Sequence, residues 1–338
     1  MEDRRRVAVV EGDGIGAEVV QAAKTVAEAA GARVRWIDAP AGERAHASVG
    51  DRLPRETIAL IKECGVALKG PLINPVVGDA SPNIALRVEL GLFANVRLAH
   101  TLDGIPAVFP GTDLVVIREV TEDLFTGAQQ WLGPDAAMAV KYVTRDATTR
   151  AATFAFDWAR RNGRKKITII HKATVLKTTD GLFLDASRAV AARFPDIECD
   201  DMLVDTVAMQ LVRDPHRFDV LFAGFFYGDI LADLVSGLVG GLGIAPGASF
   251  GDGIAIFEPV HGTVPRYVGK DTVDPVAMIL CAALMLDWLG DAAAASRIRR
   301  AVEHVLLDVA TRPRDLGGSA GTQTVTRAIA GAAAEAGR

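Results

Sequence analysis

Residues 220–233 read VLFAGFFYGDILAD, an apolar run followed by two acids that are four positions apart. On a helix, Asp229 and Asp233 point from the same face, one turn apart. Two carboxylates held this close repel each other unless a cation lies between them, and hard divalent cations prefer such oxygen ligands. The alternative is that both acids are solvated residues near a helix start, where the helix dipole stabilises them. Both interpretations remain open at this segment.

Length and composition indicate a two-lobed α/β protein. The chain has 338 residues, half of them hydrophobic, and 33 glycines, which suits a packed core with many tight connections. The net charge is −5 and the basic residues are scattered, so we expect no nucleic-acid partner. The three cysteines, Cys64, Cys199 and Cys281, lack metal-binding spacing and are typical of free thiols in a reducing cytoplasm.

Neither end of the chain nor its most apolar stretch suggests a membrane or a secretory route. Met1–Arg6 is charged and precedes an apolar run of only four residues, so we expect no signal peptide. Pro275–Leu289 is too short and too interrupted to span a bilayer. We therefore expect a cytoplasmic protein.

Short β-branched runs alternate with stretches of helical periodicity along the whole chain. Helical stretches such as Ala17–Ala30 and Arg55–Lys62 separate the runs, which predicts a largely parallel sheet covered by helices. The predicted strands are Arg6–Val10, Val34–Ile37, Val66–Leu68, Leu114–Ile117, Ile167–Ile170, Val220–Phe222 and Ile254–Phe257.

A glycine turn, EGDGIG at Glu11–Gly16, follows the first predicted strand. Its spacing is G-x-G-x-G, which does not meet the dinucleotide fingerprint G-x-G-x-x-G. The pattern therefore favours a structural turn between strand and helix over a phosphate-binding loop.

Three arginines and two further polar residues are candidates for chemistry. Arg87, Arg97 and Arg118 would hold a di- or tricarboxylate if they converge, although each alone is more often a surface residue. Lys172 directly follows a predicted strand, where α/β folds place ligand chemistry, or it is an ordinary loop lysine. Asp205 is a lone acid on an apolar helical face, so it needs a metal, a lysine or an arginine as partner.

Taken together and in this order, these motifs resemble the isocitrate/isopropylmalate dehydrogenase family of metal-dependent, β-decarboxylating hydroxyacid dehydrogenases. The resemblance runs from EGDGIGAE at 11–18 to RDLGGSAGTQ at 314–323. It implies two α/β domains with the active site in the cleft between them. Residues 1–98 and 252–338 would form the large, nucleotide-binding domain, and 99–251 the small domain with the dimer contacts, the metal and the catalytic lysine.

The resemblance also implies roles for individual residues. Two chains would pair as a homodimer, each lending residues to its partner's site. Asp229 and Asp233 would bind Mg²⁺ or Mn²⁺, and the other subunit would contribute Asp205, as metal ligand and catalytic acid, together with the catalytic lysine, Lys172. The malate portion of the substrate would be held by Arg87, Arg97 and Arg118.

Substrate choice in this family depends on the segment SPNIALR at 81–87. Members that act on isocitrate carry Ser and Asn at the positions of Ser81 and Asn83, where they bond the third carboxylate. Isopropylmalate enzymes carry apolar side chains there, because a branched alkyl group must be buried. The resemblance thus implies isocitrate or a malate with another acidic substituent.

Cofactor choice depends on the segment HGTVPRY at 261–267. NAD-using members usually carry an acid at the position of Arg266, whereas a guanidinium suits the 2′-phosphate of NADP. The resemblance implies NADP, with NAD as the alternative. The implied cofactor-binding residues are His261, Gly262, Thr263, Arg266, Tyr267 and Asp274, of which Asp274 replaces a common Asn.

Four positions depart from the family pattern. The family has Tyr at Phe125, whose hydroxyl protonates the enol after decarboxylation, and Asn at Phe225; Val120 and Thr174 also replace Asn residues. One explanation is an altered substrate, such as that of an NAD-dependent isopropylmalate- or malate-type enzyme in a specialised pathway. Others are a different proton donor, water or Lys172, or a catalytically weak regulatory homologue.

Overall fold

The computed structural model describes residues 4–74 and 81–336. The described chain is a mixed α/β protein that divides into two compact units. The terminal unit comprises Met1–Gly91, Thr101–Gly111 and Val239–Arg338, and the central unit comprises Leu92–His100 and Thr112–Leu238.

The regular elements alternate along the chain as the sequence predicts. In chain order, the strands are β1 Arg5–Val10, β2 Val34–Asp38, β3 Val66–Lys69, β4 Ala94–His100, β5 Asp113–Glu119, β6 Gln129–Gly133, β7 Ala136–Ala139, β8 Lys166–His171, β9 Glu198–Leu203, β10 Val220–Ala223, β11 Pro246–Gly251 and β12 Ile254–Pro259. The α-helices are α1 Gly16–Ala29, α2 Glu43–Val49, α3 Arg55–Cys64, α4 Pro82–Glu89, α5 Arg145–Arg161, α6 Thr179–Ala191, α7 Val204–Arg213, α8 Phe225–Val239, α9 Val276–Trp288, α10 Ala292–Leu306 and α11 Thr322–Glu335.

The borders of the two units differ from the predicted division into 1–98 with 252–338 and 99–251. Strand β4 pairs antiparallel with β5, which places residues 94–100 with the central unit. Strand β11 pairs antiparallel with β12, which places residues 246–251 with the terminal unit. The pairing of these neighbouring strands sets the borders, and the prediction missed them because it did not recognise β4 and β11 as strands.

In the terminal unit, the strands lie in the order β2, β1, β3, β12, β11. All neighbours are parallel except β11 and β12. Because parallel strands end at the same edge of a sheet, the loops after β1, β3 and β12 lie at one edge. Helix α9 packs on β11 and β12 and against α1 and α10, and this enclosure explains why it is apolar on all sides.

In the central unit, the strands lie in the order β4, β5, β10, β8, β9. Strands β5, β10, β8 and β9 are parallel, and only β4 runs against its neighbour. The fully buried side chains of Phe156, Phe222 and Ile169 belong to the core beneath α5 and α6. The parallel arrangement brings the ends of these four strands, and the residues that follow them, to one edge.

A separate two-stranded hairpin, β6 and β7, also belongs to the central unit. Every residue of its two strands is exposed, and Trp131 is 75% exposed. A two-stranded hairpin is marginally stable alone, and monomers seldom expose such apolar side chains together. We refer to this element as the exposed hairpin.

All seven predicted strands are present, with ends within two residues of the prediction. The sequence interpretation missed β4, β9, β11 and the exposed hairpin, because these runs are short or contain polar residues. The apolar stretch 275–289 forms α9, and within residues 4–74 and 81–336 no helix has the length and apolarity needed to cross a membrane.

Candidate active site

The strand ends of the central unit carry two of the predicted arginines side by side. Arg97 on β4 and Arg118 on β5 are both buried, and both donate from Nε to Oδ1 of Asn95 at 2.9 Å. One amide oxygen therefore fixes the direction of two guanidinium groups. Sequence reasoning missed Asn95, because the pairing of β4 with β5, which places it opposite Arg118, is not visible in the local pattern.

Arg118 also forms an ion pair with Asp229 on α8. The guanidinium is almost fully buried, whereas the Asp229 side chain is half exposed. Burying a cation is costly unless a carboxylate and hydrogen-bond acceptors compensate, and Asp229 and Asn95 supply both. Arg118 thus links a predicted substrate-binding residue to a predicted metal ligand.

Helix α8 places Asp229 and Asp233 one turn apart, as the spacing predicts. Burial, and then the neighbouring charge of Asp229, raise the pKa of Asp233. A divalent cation would remove this repulsion, and the carboxylate oxygens are the donors that Mg²⁺ and Mn²⁺ take. The residues present therefore fit such an ion.

Lys172 and Asp205 form a second pair, with Nζ and Oδ1 2.7 Å apart. Lys172 follows β8 and Asp205 lies in the first turn of α7, directly after the neighbouring β9. The side chain of Asp205 is 62% exposed, so the expectation of a buried acid is wrong for the single chain. Its partner is a lysine, one of the three partners considered.

The third predicted metal ligand does not join the first two within one chain. Over residues 4–74 and 81–336, no group of three or more His, Cys, Asp or Glu side chains is arranged to hold a metal ion. Asp205 pairs with Lys172 instead. A contribution of Asp205 and Lys172 to the site of another subunit stays a prediction.

The two aromatic residues that depart from the expected pattern contact each other. The rings of Phe125 and Phe225 have centroids 4.6 Å apart, and the Arg118 guanidinium lies 5.5 Å from the Phe225 ring centroid. Phe125 is buried. The two departures therefore form one apolar contact beside the buried arginine.

In the terminal unit, Ser81 and Asn83 converge on the side chain of Asn74. Ser81 Oγ donates to Asn74 Oδ1 at 2.5 Å, and Asn83 Nδ2 donates to the same oxygen at 2.9 Å. Ser81 also caps α4 by accepting from the Ile84 N–H. Sequence reasoning missed Asn74. Of the stretch around it, residues 75–80 lie outside the described residues.

The third predicted arginine, Arg87, lies in α4 and contacts an acid of β12. Arg87 Nη2 is 3.8 Å from Glu258 Oε1, while Lys69 Nζ is 2.7 Å from Glu258 Oε2. Lys69 and Glu258 are both buried, so each compensates the charge of the other. Glu258 thus ties Arg87 to the ends of β3 and β12.

The loop at 261–267, which carries most of the predicted cofactor residues, is supported by the glycine turn after β1. The Ile15 N–H donates to Thr263 O at 3.0 Å. Gly14 has a φ of +59°, and a Cβ there would collide with Thr263 O. These contacts agree with the structural interpretation of the turn. The Arg266 guanidinium lies 4.9 Å from the ring centroid of Tyr267, and both side chains are exposed.

Comparison with known proteins decides the family. The profile of the family described as isocitrate/isopropylmalate dehydrogenase matches residues 6–329. The chain belongs to this family. It is therefore an NAD(P)-dependent hydroxyacid dehydrogenase of the decarboxylating type, and the family uses Mg²⁺ or Mn²⁺.

Relatives within this dehydrogenase family carry different names. A protein of Thermus thermophilus called isocitrate/homoisocitrate dehydrogenase is 43% identical over 327 residues, covering 96% of this chain and 97% of the relative. A Caenorhabditis elegans protein called probable isocitrate dehydrogenase [NAD] subunit alpha, mitochondrial, is 40% identical and covers 94% and 89%. The crystal structure of isocitrate dehydrogenase from Methylococcus capsulatus is 42% identical, with a TM-score of 0.94 and coverage of 98% and 99%.

Asp274, the sixth predicted cofactor residue, is buried rather than exposed in this dehydrogenase. It is 8% exposed, its Oδ1 accepts from the Val276 N–H at 2.8 Å, and its Oδ2 has no hydrogen-bond partner among the described residues. A Cβ on Gly243 would lie 2.7 Å from Asp274 Oδ2 and closer still to Asp315 Oδ2, so the two carboxyl groups flank this glycine. Burial, and then the charge of Asp315, raise the pKa of Asp274 well above 3.8.

We predict that Asp274→Asn stabilises the protein in a pH-dependent way. Because its folded-state pKa is raised, Asp274 lowers stability as the pH rises above about 4, the ordinary carboxyl range. The amide keeps the acceptor for Val276 and can donate to Asp315. We expect Tm to rise by about 3–6 °C at pH 8, with the difference shrinking toward pH 4.

Differential scanning fluorimetry from pH 4 to 8 measures this effect, with the exposed acid Asp103 changed to Asn as a control. A gain that is equal at all pH values, or a loss at pH 8, would contradict the assignment of a buried, proton-binding carboxyl group.

Proposed function

We propose that this protein oxidises and decarboxylates isocitrate, or a malate with another acidic 3-substituent, with NADP and Mg²⁺ or Mn²⁺. The observation that carries this proposal is the polar trio Ser81, Asn83 and Asn74 at the start of α4. A site built from hydroxyl and amide groups suits an acidic substituent, because a branched alkyl group would remove these groups from water and offer no hydrogen bond in return.

The arginines supply the charge that such a substrate requires. Arg97 and Arg118 are held in fixed directions by Asn95, so little rotamer entropy is lost when they bind carboxylates. We assign Arg87 to the same task. Asp229 would exchange its ion pair with Arg118 for the metal, releasing the guanidinium toward the substrate.

Asp229 and Asp233 would hold the divalent ion, with Asp205 of the other subunit as the third protein ligand. A bound Mg²⁺ or Mn²⁺ supplies Lewis-acid stabilisation of negative charge at the substrate oxygens. Lys172 would remove the hydroxyl proton in the partner's site, directly or through a water. In the single chain the Lys172 ammonium is paired with Asp205. Metal binding by Asp205 would release Lys172, which must be the neutral amine to accept the proton.

The proposed NADP preference rests on Arg266. Its guanidinium stacks against Tyr267 and is exposed to solvent, the state in which it can accept a 2′-phosphate. We assign His261, Gly262, Thr263 and the other predicted loop residues to the same cofactor, whose nicotinamide accepts the hydride. The C. elegans relative is named for NAD, so the proposed NADP preference would distinguish this protein from that relative.

The exposed hairpin supports a homodimer with shared active sites. Trp131 and Leu132 are 75% and 60% exposed in the single chain, and a second copy would cover them.

A reducing compartment such as the cytoplasm suits the three cysteines, which form no disulfide.

A second candidate is an NAD-dependent isopropylmalate- or malate-type dehydrogenase of a specialised pathway. The contact between Phe125 and Phe225 favours it, because the aromatic pair adds apolar surface beside Arg118. A catalytically weak regulatory role is a third reading, but the ion pairs at Arg118 and Lys172 retain the charged groups of a working site.

Formation of reduced cofactor tests the proposed activity. With Mn²⁺ and isocitrate, we expect reduced cofactor to form, which absorbance measures, and NADP to be favoured over NAD. Isopropylmalate, malate and a phosphonate analogue serve as comparison substrates.

Arg266→Asp should reverse the cofactor preference, since an acid repels the 2′-phosphate. An unchanged NADP/NAD ratio would refute the role of Arg266, and no metal-dependent turnover on any substrate would refute the enzyme proposal.

Replacing Phe125 tests the missing proton donor. If protonation of the enol limits turnover, Phe125→Tyr should raise kcat by about tenfold or more, within the range of general acid catalysis. Phe125→Leu, which adds no hydroxyl, is the matched control. A fall in kcat with Tyr, together with a changed order of substrates, would favour the second candidate function.

Mixing two inactive variants tests the shared site. Lys172→Met and Asp229→Asn should each abolish activity as homodimers, whereas a mixed dimer contains one site with both residues intact. After joint unfolding and refolding, random pairing should recover about a quarter of wild-type activity. Recovery should fail if Trp131→Asp is present in both chains, and light scattering would then report monomers. No recovery from folded mixed dimers would place both residues in one chain's own site.

A further inference from the structure

Asp123 has a backbone conformation that few residues adopt. Its φ is +65° and its ψ is −148°, a region that costs free energy for any residue with a Cβ. The residue is 2% exposed. Such a conformation persists only where surrounding contacts compensate for it, so the contacts of the side chain identify its task.

The carboxylate of Asp123 lies at the N-terminus of α8. Its Oδ2 accepts from the Phe226 N–H at 3.2 Å, and its Oδ1 accepts from the Leu124 N–H at 2.8 Å. The first N–H groups of a helix have no partner within the helix, and negative charge is favourable there. Asp123 therefore caps α8 from a segment about a hundred residues away in the chain.

Helix α8 has no local cap that could replace this carboxylate. The residue before its first, Gly224, has no side chain, and a Cβ there would lie 3.1 Å from Asp123 Oδ2. The first turn of α8 carries no acid of its own. Gly224 and Asp123 are thus complementary, since the missing side chain leaves the space that the distant carboxylate fills.

The partly exposed ammonium of Lys141 extends the contact toward the lysine of the site. Lys141 Nζ lies 3.5 Å from Asp123 Oδ1 and 2.7 Å from Asp180 Oδ1. Asp180 Oδ2 accepts from the backbone N–H of Lys172 at 2.7 Å. Lys141 therefore joins the carboxylate at the start of α8 to the carboxylate that holds the Lys172 backbone.

We propose that Asp123 is a positioning residue that sets the direction of α8, and with it the spacing of Asp229 and Asp233 for the divalent ion. Through Lys141 and Asp180 it also holds α8 in register with the segment that carries Lys172. The inference rests on the proposed function in taking Asp229 and Asp233 as metal ligands. Asp123 itself touches neither metal nor substrate.

The test measures Mn²⁺ affinity of the intact protein without substrate, by electron paramagnetic resonance of free Mn²⁺. Asp123→Gly removes the cap but fits the backbone conformation, so we expect the Kd for Mn²⁺ to rise about tenfold. Asp123→Asn tolerates positive φ and keeps an acceptor for Phe226 but loses the charge facing Lys141. It should have an intermediate Kd.

Asp291→Ala is the matched control, because Asp291 caps α10 by accepting from the Ala294 N–H and belongs to the terminal unit. It should lower Tm without changing the Kd for Mn²⁺. A merely structural Asp123 would behave in the same way, so an unchanged Kd in both Asp123 variants overturns the proposal. If Asp123→Gly does not fold, the Kd of Asp123→Asn decides alone.

The outcomes separate this inference from the proposed function. Wild-type protein that binds Mn²⁺ but forms no reduced cofactor refutes the proposed function and leaves the Asp123 comparison valid. Wild-type protein that binds no Mn²⁺ overturns the positioning role, because α8 would then have no ion to arrange. If the wild-type protein is active, the kcat of each Asp123 variant should fall in the same order as its Kd for Mn²⁺ rises. Recovery of kcat at high Mn²⁺ supports positioning over a general loss of structure.

Discussion

The buried guanidinium of Arg118 is the charge on which the site of the central unit depends. Nearly all of it is removed from water, at a cost of several kcal/mol unless its donors and its charge are matched. Asn95 on β4, and Asp229 and the ring of Phe225 on α8, supply the matching groups from two different elements. Because β5, β10, β8 and β9 all end at the same edge, the fold brings these elements to the arginine without any long loop.

The two aromatic departures from the family pattern are one structural change. Phe125 and Phe225 are a hundred positions apart in the sequence but their rings are in contact. A hydroxyl or an amide at one of these positions would face the aromatic ring at the other, which offers it no strong hydrogen-bond acceptor. The two aromatic side chains therefore suit each other, and they lie beside the ion pair of Arg118 with Asp229.

The sequence was sufficient for seven of the described strands, the spacing of Asp229 and Asp233, and the family. Period-two and helical patterns are local, and long motifs in register identify relatives directly. Asn74, Asn95 and Asp123 were not predictable in the same way, because each acts through a contact between segments that only the folded chain brings together. The exposure of Asp205 and the burial of Asp274 escaped prediction for the same reason, since solvent access depends on packing rather than on residue type.

Gly243 illustrates how this packing limits the order in which the sequence can change. Every replacement of a glycine introduces a Cβ, and here that atom would meet the carboxyl groups of Asp274 and Asp315. Replacing Gly243 therefore requires at least one of these carboxyl groups to move or to be shortened. Tolerance of a side chain at this position thus depends on two residues that lie 31 and 72 positions further along the chain.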